Sequence, residues 1–385
     1  MRFPCMTIRG LLFFLSGILL ASLSAALSAR VLACLSAVIG LVLVYGFLSV
    51  WLARKTTRLF ATVEESQVLR GEQNALRLKA VRKSFLPAGG VTVRWRDGES
   101  ARENVLWPSL RKAAQTSLPL NTAHIGTFEL QVESVRWDDL YGLFTLRKKG
   151  FKPEETMVLP RPFDIEKPTF SVSEEGIAAL KRASEDYNAP DDLRAFQPGD
   201  AMKRVQWKHY ARRGELLVRQ YESPMPPDTL ILLDCGKTRA ELPELSAKLQ
   251  DALCETAVAV ADLQMKDGQK VRMPLYGREA NEFASDRRDH LLILQRMLAA
   301  QSFGTEENFA RVVREEMKRV RRSGAVVALT TRLTAEVTDA LCDLRRLGPN
   351  VRCYLVTEQM EREEDLPYIG QLQNHLVEVC YVTPA

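Results

Sequence analysis

Two stretches of the chain bring together side chains able to do chemistry. The denser is Asp191–Glu222, where six Lys/Arg (Lys203, Arg204, Lys208, Arg212, Arg213, Arg219) stand between Lys203 and Arg219 against one acid, Glu215. Trp207, His209 and Tyr210 are interleaved among them. Cations mixed with flat rings bind phosphates and stack on bases, and the same residue types anchor protein interfaces. The acids Asp191, Asp192 and Asp200 offer a further use for these charges, as internal ion pairs. The second stretch is Asp234-Cys235-Gly236-Lys237-Thr238. Its Gly-Lys-Thr resembles the end of a phosphate loop, but that loop needs a glycine five residues before Gly236 to bring backbone N–H groups onto the phosphates, and Ile231 stands there. Asp234 and Thr238 are instead oxygen ligands for a hard cation, or acceptors closing a turn.

Other reactive chemistry finds less support. There is no H-E-x-x-H or G-x-S-x-G, and His124, His209, His290 and His375 fall on different predicted elements. Cys235 lies beside Lys237, whose charge lowers a thiol pKa, yet no base can be placed near it, so it reads as a structural thiol. The seven cysteines (Cys5, Cys34, Cys235, Cys254, Cys342, Cys353, Cys380) contain no C-x-x-C and are odd in number, which suits a reducing compartment.

The elements that must position these residues are legible in the hydropathy pattern. From Asp228 onward strand-like runs alternate with helical ones: a short apolar run at Thr229–Leu233, helical spacing over Leu242–Leu263, an extended Val271–Tyr276, and helical patterns at Asp286–Ala300 and Glu306–Arg322. A strand at Ala325–Thr330, a helix over Ala335–Leu347 and strands at Val351–Val356 and Val377–Val382 follow. Such alternation predicts a mostly parallel sheet covered on both faces. Ligands of such sheets sit at the carboxyl ends of the strands, which directs attention to the loop after Leu233. Residues 62–160 alternate with period two, as in Leu76-Arg77-Leu78-Lys79-Ala80-Val81, with turns at Pro87-Ala88-Gly89-Gly90 and Asp97-Gly98, and predict a small antiparallel β-sandwich. Residues 161–227 are charge-rich, with one short helical stretch near Glu174–Ser184.

The N-terminus departs furthest from average composition. Leu11–Ala53 holds 33 apolar residues out of 43, with no acid before Glu64. Arg30 divides it into spans of about 11–29 and 31–53, each near the ~20 residues a helix needs to cross a bilayer. A hairpin turning near Ser28-Ala29-Arg30 keeps that charge at the far surface. Arg2 and Arg9 on one flank and Arg54, Lys55 and Arg58 on the other place both ends in the cytoplasm by the positive-inside rule. A cleaved signal peptide, with small residues at Ser24-Ala25-Ala26, is the alternative reading of the first span.

The signature Arg194, Phe196, Gly199-Asp200, Lys203-Arg204, Val205, Trp207, Ala211-Arg212, Gly214, Leu216, Val218, Arg219, adjoined by Arg213, resembles that of the domain of unknown function 58 family of bacterial membrane-anchored proteins. The segment Asp139-Leu140-Tyr141-Gly142-Leu143-Phe144 and the order of parts resemble it too. The resemblance implies a membrane-anchored multidomain chain: a transmembrane helical hairpin within 1–58, an antiparallel β-sandwich at 62–160, the signature at 161–227 and an α/β von Willebrand factor type A-like domain at 228–385. Such domains often bind magnesium through Asp-x-Ser-x-Ser; here Gly236 replaces the first serine, leaving Asp234 and Thr238, and Thr330-Thr331-Arg332 follows the later strand where a second carboxylate is common. The resemblance further implies a non-enzymatic adaptor in the bacterial plasma membrane, its soluble domains cytoplasmic, working with a MoxR-type AAA+ ATPase. Its partners would then be the lipid bilayer and that ATPase. The departures leave a metal-dependent binding or hydrolytic site at Asp234 and Thr238, or anionic lipid or nucleic-acid binding through Lys203–Arg219, as alternatives.

The charge balance agrees with that division. The chain has 385 residues, 46% apolar and 26% charged, which excludes a disordered or collagen-like chain. Its formal charge is +5, but six of 53 Lys/Arg and none of 48 acids fall in the first 63 residues, so the remainder carries −1. The excess positive charge marks the anchor, and a generally basic soluble protein built for nucleic acid is excluded.

Overall fold

The computed structural model describes residues 4–84, 86–97, 100–109, 113–165, 192–197, 202, 205, 207–220, 228–276, 281–304, 308–320, 323–359 and 362–384. The short helix predicted near Glu174–Ser184 lies outside them. The chain divides into two compact units, Met1–Leu159 and Pro160–Ala385.

The first unit begins with two helices long and apolar enough to cross a membrane, Ile8–Leu27 and Arg30–Thr56. Ser28 turns the chain between them in the left-handed conformation, φ 48°, and Arg30 opens the second helix at the predicted hairpin tip. They pack closely: a Cβ on Gly17 would stand 2.8 Å from Ile39 Cγ2. The second helix runs past the predicted boundary at residue 53, and one side of its last turns faces inward. Ser49, Val50 and Ala53 are fully buried, and Val50 and Ala53 join the core of the β region.

That β region holds two sheets. Thr57–Val63, Ala75–Arg82 and Ala114–Pro119 form a three-stranded antiparallel sheet. A seven-stranded sheet contains Gly126–Asp138 at its centre, flanked by Val91–Asp97, Phe144–Lys149 and Glu154–Leu159, with Ser100–Leu106 beyond. Gln67–Leu69 adds one parallel pairing, against Met157–Leu159. Cys5–Met6 pairs with Phe144–Thr145, so the residues before the first helix are part of the sheet. Alternation sends Leu76, Leu78 and Ala80 inward while Arg77 and Lys79 stay out, and they meet Val91, Val93, Trp95, Val135, Trp137 and Leu146 in one buried cluster. Covering about 30 Å² or more of apolar area per methylene-sized group in this way is worth close to 0.8 kcal/mol each.

The second unit is built on a six-stranded sheet. In chain order its strands are Asp228–Leu233, Val271–Leu275, Asn281–Ser285, Ser323–Thr330, Asn350–Val356 and Glu378–Val382, and across the sheet they run third, second, first, fourth, fifth, sixth. All neighbours are parallel except the antiparallel edge pair Val271–Leu275 and Asn281–Ser285. Pro243–Lys266 packs against the sheet, with its face from Leu249 to Met265 almost entirely buried. The helices Phe309–Met317, Ala335–Arg346 and Leu366–Asn374 supply a cluster with Leu230, Leu232, Val326 and Ala328. Ile231 and Val327, buried but outside that cluster, belong to the opposite face. The helical pattern over Asp286–Ala300 condenses to a short turn at Arg288–His290 followed by Leu291–Ala299. Two elements escaped the pattern. Asn281–Ser285 is an edge strand with only Phe283 and Ala284 apolar, and Leu366–Asn374 is a nine-residue helix whose buried side is only Ile369 and Leu372.

Candidate functional site

The strand order places a switch point between Asp228–Leu233 and Ser323–Thr330, because the chain leaves the first toward one side and reaches the fourth on the other. Loops diverging there open a crevice at the carboxyl ends of the strands. Asp234, the residue after the first strand, sits in it. Its backbone N–H donates to Leu329 O at 2.9 Å, Thr330 Oγ1 donates to its Oδ2 at 2.7 Å, and Gly236 N–H donates to its Oδ1 at 3.0 Å. Burial pushes the Asp234 carboxyl pKa up; the bonds from Thr330 and Gly236 and the nearby charge of Arg332 oppose that shift without cancelling it.

The crevice is a cavity of about 580 Å³ lined by Asp234, Gly236, Lys237, Arg332 and Glu336, with the starts of two helices. Asn308 caps the helix Phe309–Met317 by accepting from Ala310 N–H, and Thr334 caps Ala335–Arg346 by accepting from Val337 N–H. Asn308 Nδ2 also donates to Glu336 Oε2 at 2.5 Å. Thr330, Arg332, Asn308 and Glu336 come from elements distant in sequence and were not singled out as site residues. The one sign of them in the sequence is the unusual Thr330-Thr331-Arg332 that follows the later strand.

Thr238 does not join this constellation as a ligand. Its hydroxyl is 2.6 Å from Ser246 Oγ, at the start of the helix Pro243–Lys266. With both Asp234 oxygens already accepting hydrogen bonds, Thr238 engaged elsewhere, and Lys237 and Arg332 bringing positive charge to the same cavity, the donor set does not fit magnesium, which takes about six oxygens with one or two carboxylates. Among the described residues no three His, Cys, Asp or Glu gather as a metal site. Cys235 is buried, 8% exposed, and receives Gln301 Nε2 at 3.4 Å, in keeping with a structural thiol.

The signature residues form a second feature of this unit. Asp192–Ala195 pairs antiparallel with Leu217–Gln220, with Arg194 opposite Val218 and Leu193 opposite Arg219. Phe196 N–H continues the ladder to Leu216 O. Between them lies the short helix Trp207–Arg213, containing Ala211. Gly214 ends it at φ +72°, a conformation that favours glycine. Val205 is buried while Trp207 and Tyr210 are about half exposed and meet edge to face, centroids 6.4 Å apart. Lys208, Arg212 and Arg213 are exposed beside them. Gly199, Asp200, Lys203 and Arg204 lie outside the described residues.

An open, mostly parallel sheet with a crevice at its switch point defines a doubly wound α/β unit. Residues 192–378 match the family described as "Protein of unknown function DUF58". It is similar to "Uncharacterized protein YeaD" of Bacillus subtilis (strain 168), 22% identical over 291 residues that cover 74% of this chain and 67% of that protein. Cwp6 from Clostridium difficile aligns over 84% of this chain and 53% of its own, about half its length, at 8% identity and a TM-score of 0.21, a likeness too slight to inform the fold.

Proposed function

We propose that this is a membrane-anchored, non-enzymatic adaptor whose von Willebrand factor type A-like unit works on the cytoplasmic side with a MoxR-type AAA+ ATPase, and whose β region is a sandwich carried on the anchor. The observation behind the partner reading is the exposed aromatic and basic face of the signature helix. Trp207 is 52% and Tyr210 45% exposed, flanked by Lys208, Arg212 and Arg213, none of which has a carboxylate partner among the described residues. Large rings and arginines left open to solvent in an ordered, short helix are the composition of interface hot spots. Charge complementarity then favours an acidic surface on the ATPase.

The test is co-purification of the ATPase from membranes with the double variant Arg212→Glu, Arg213→Glu. Capture is expected to fall at least about tenfold, in line with the loss of one hot spot, while the melting profile is retained. Undiminished capture by the folded variant overturns the assignment of this face.

A further inference from the structure

Arg82 is a buried cation with no acid paired to it among the described residues. It is 5% exposed, at the end of the strand Ala75–Arg82. Its Nη1 donates to Ala88 O at 3.0 Å, Nη2 to Gly89 O at 3.0 Å, and Nε to Thr57 Oγ1 at 3.4 Å. All three acceptors are neutral, and no carboxylate pairs with it among the described residues. A guanidinium carries five N–H donors, so these contacts leave two. Burial pushes its pKa down, as it does for any cation taken from water without a counter-charge. Most buried charges in folded proteins are paired.

The same residue lines a cavity of about 460 Å³ together with Ser84, Pro87, Ala88, Pro108 and Ser109, none of them acidic. The position of this cavity follows from one contact. Tyr45, on the second apolar helix, donates its hydroxyl to Pro87 O at 2.8 Å, which fixes the loop holding the Arg82 guanidinium beside residue 45. From Arg30 to Tyr45 the helix rises only about 22 Å, against roughly 30 Å of hydrocarbon. With Arg30 at one surface, Tyr45 stands about 8 Å short of the other hydrocarbon boundary, so the loop end of the β region that it holds is drawn against that boundary, beside the headgroups. The side chains exposed at that end suit such a boundary: Trp107 is 69%, Leu140 53% and Tyr141 55% exposed. Trp107 adjoins Pro108 of the cavity wall, and Gly89 abuts the 139–143 loop so closely that a Cβ there would stand 2.4 Å from Asp139 O. Trp and Tyr are the residues that gather at membrane interfaces.

We propose that the Arg82 cavity binds the phosphate diester of an anionic phospholipid headgroup, the phosphate supplying the counter-charge and accepting the guanidinium N–H groups that the described residues leave unmatched. The site rests on the reading of the two apolar helices as a membrane anchor. A guanidinium suits a phosphate because its planar fork gives parallel charge-assisted hydrogen bonds, and the lipid is favoured over free phosphate because the cavity is fastened to the membrane helix beside the headgroups.

The full chain, purified in detergent, would be titrated by native mass spectrometry with short-chain phosphatidylglycerol and with phosphatidylcholine of equal chain length, with and without millimolar inorganic phosphate. One phosphatidylglycerol is expected to be retained at least about tenfold more tightly than phosphatidylcholine and to resist inorganic phosphate. Arg82→Gln should abolish that preference. Because it also removes structural hydrogen bonds, Ser109→Glu, which puts a negative charge on the exposed wall without touching them, should abolish it as well. Retained preference in both folded variants, equal binding of the two lipids, or displacement by inorganic phosphate would each overturn the site. Alkaline carbonate extraction of membranes tests the anchor alone: release of the wild-type chain defeats the anchor and the site together, whereas a retained chain with unchanged lipid preference in the variants defeats the site only.

Discussion

Asp139 and Asp234 begin alike. Each immediately follows a strand, and each accepts the backbone N–H two residues on, from Tyr141 at 3.1 Å and from Gly236 at 3.0 Å. They part at the second oxygen. Asp139 takes Phe144 N–H at 2.8 Å from its own loop and is 3% exposed, so its acceptors are consumed in closing the Asp139-Leu140-Tyr141-Gly142-Leu143-Phe144 turn. Asp234 takes the Thr330 hydroxyl from a neighbouring strand and lines a cavity. The same local turn is a closed clasp when its second partner is local, and the floor of a crevice when that partner comes across a switch point.

The comparison can be broken by removing each carboxylate in turn. Asp139→Ala leaves the buried Phe144 N–H and the partly buried Tyr141 N–H without acceptors and should cost about 3 kcal/mol. The measurement is the unfolding midpoint followed through the buried Trp95 and Trp137, 1% and 3% exposed. Asp234→Ala should cost about 1–2 kcal/mol, since water in the open cavity can replace part of what is lost. An equal cost at the two positions would end the distinction.

A subtler difference is in pH dependence. The folded Asp234 carboxyl holds its proton to higher pH than the unfolded one, whose pKa is about 3.9, because burial disfavours its charge. Between those two values the folded state binds more protons, so stability falls as pH rises through that window and is flat above it. Denaturant midpoints of wild type measured against Asp234→Asn should show wild type losing ground with rising pH there; the opposite slope would mean that hydrogen bonding, not burial, dominates. The smallest effect is expected at Thr238→Ala, below about 1 kcal/mol, because only the bond to Ser246 is lost. A change in magnesium affinity on that substitution, read by calorimetry, would restore Thr238 as a ligand.

Much of the second unit was legible because its strands are continuous apolar runs and its longer helices have a clear face. Thr229–Leu233, Ala325–Thr330 and Val351–Val356 all fall within observed strands. Asn281–Ser285 was not legible, because an edge strand needs little hydrophobicity to pair. Of the crevice, Asp234 could be found from its place after a strand, whereas Thr330, Arg332 and Glu336 are brought to it only by sheet order. Thr238 shows the converse failure: spacing suggested a ligand, but the nearest hydroxyl in space belongs to Ser246. Arg82 gave no signal at all, since an arginine ending an alternating strand looks like any solvated one until its burial is known.

The pairing of Cys5–Met6 with Phe144–Thr145 has a consequence for biogenesis. A ribosome adds ~5–20 residues per second, so the first strand residue waits on the order of 7–28 seconds before its partner about 140 residues later exists. On the anchor reading, both helices reach the bilayer in that interval with the base of the hairpin still undone. The helix pair must hold itself together alone, and closing of the sheet is what finally locks the N-terminus in place.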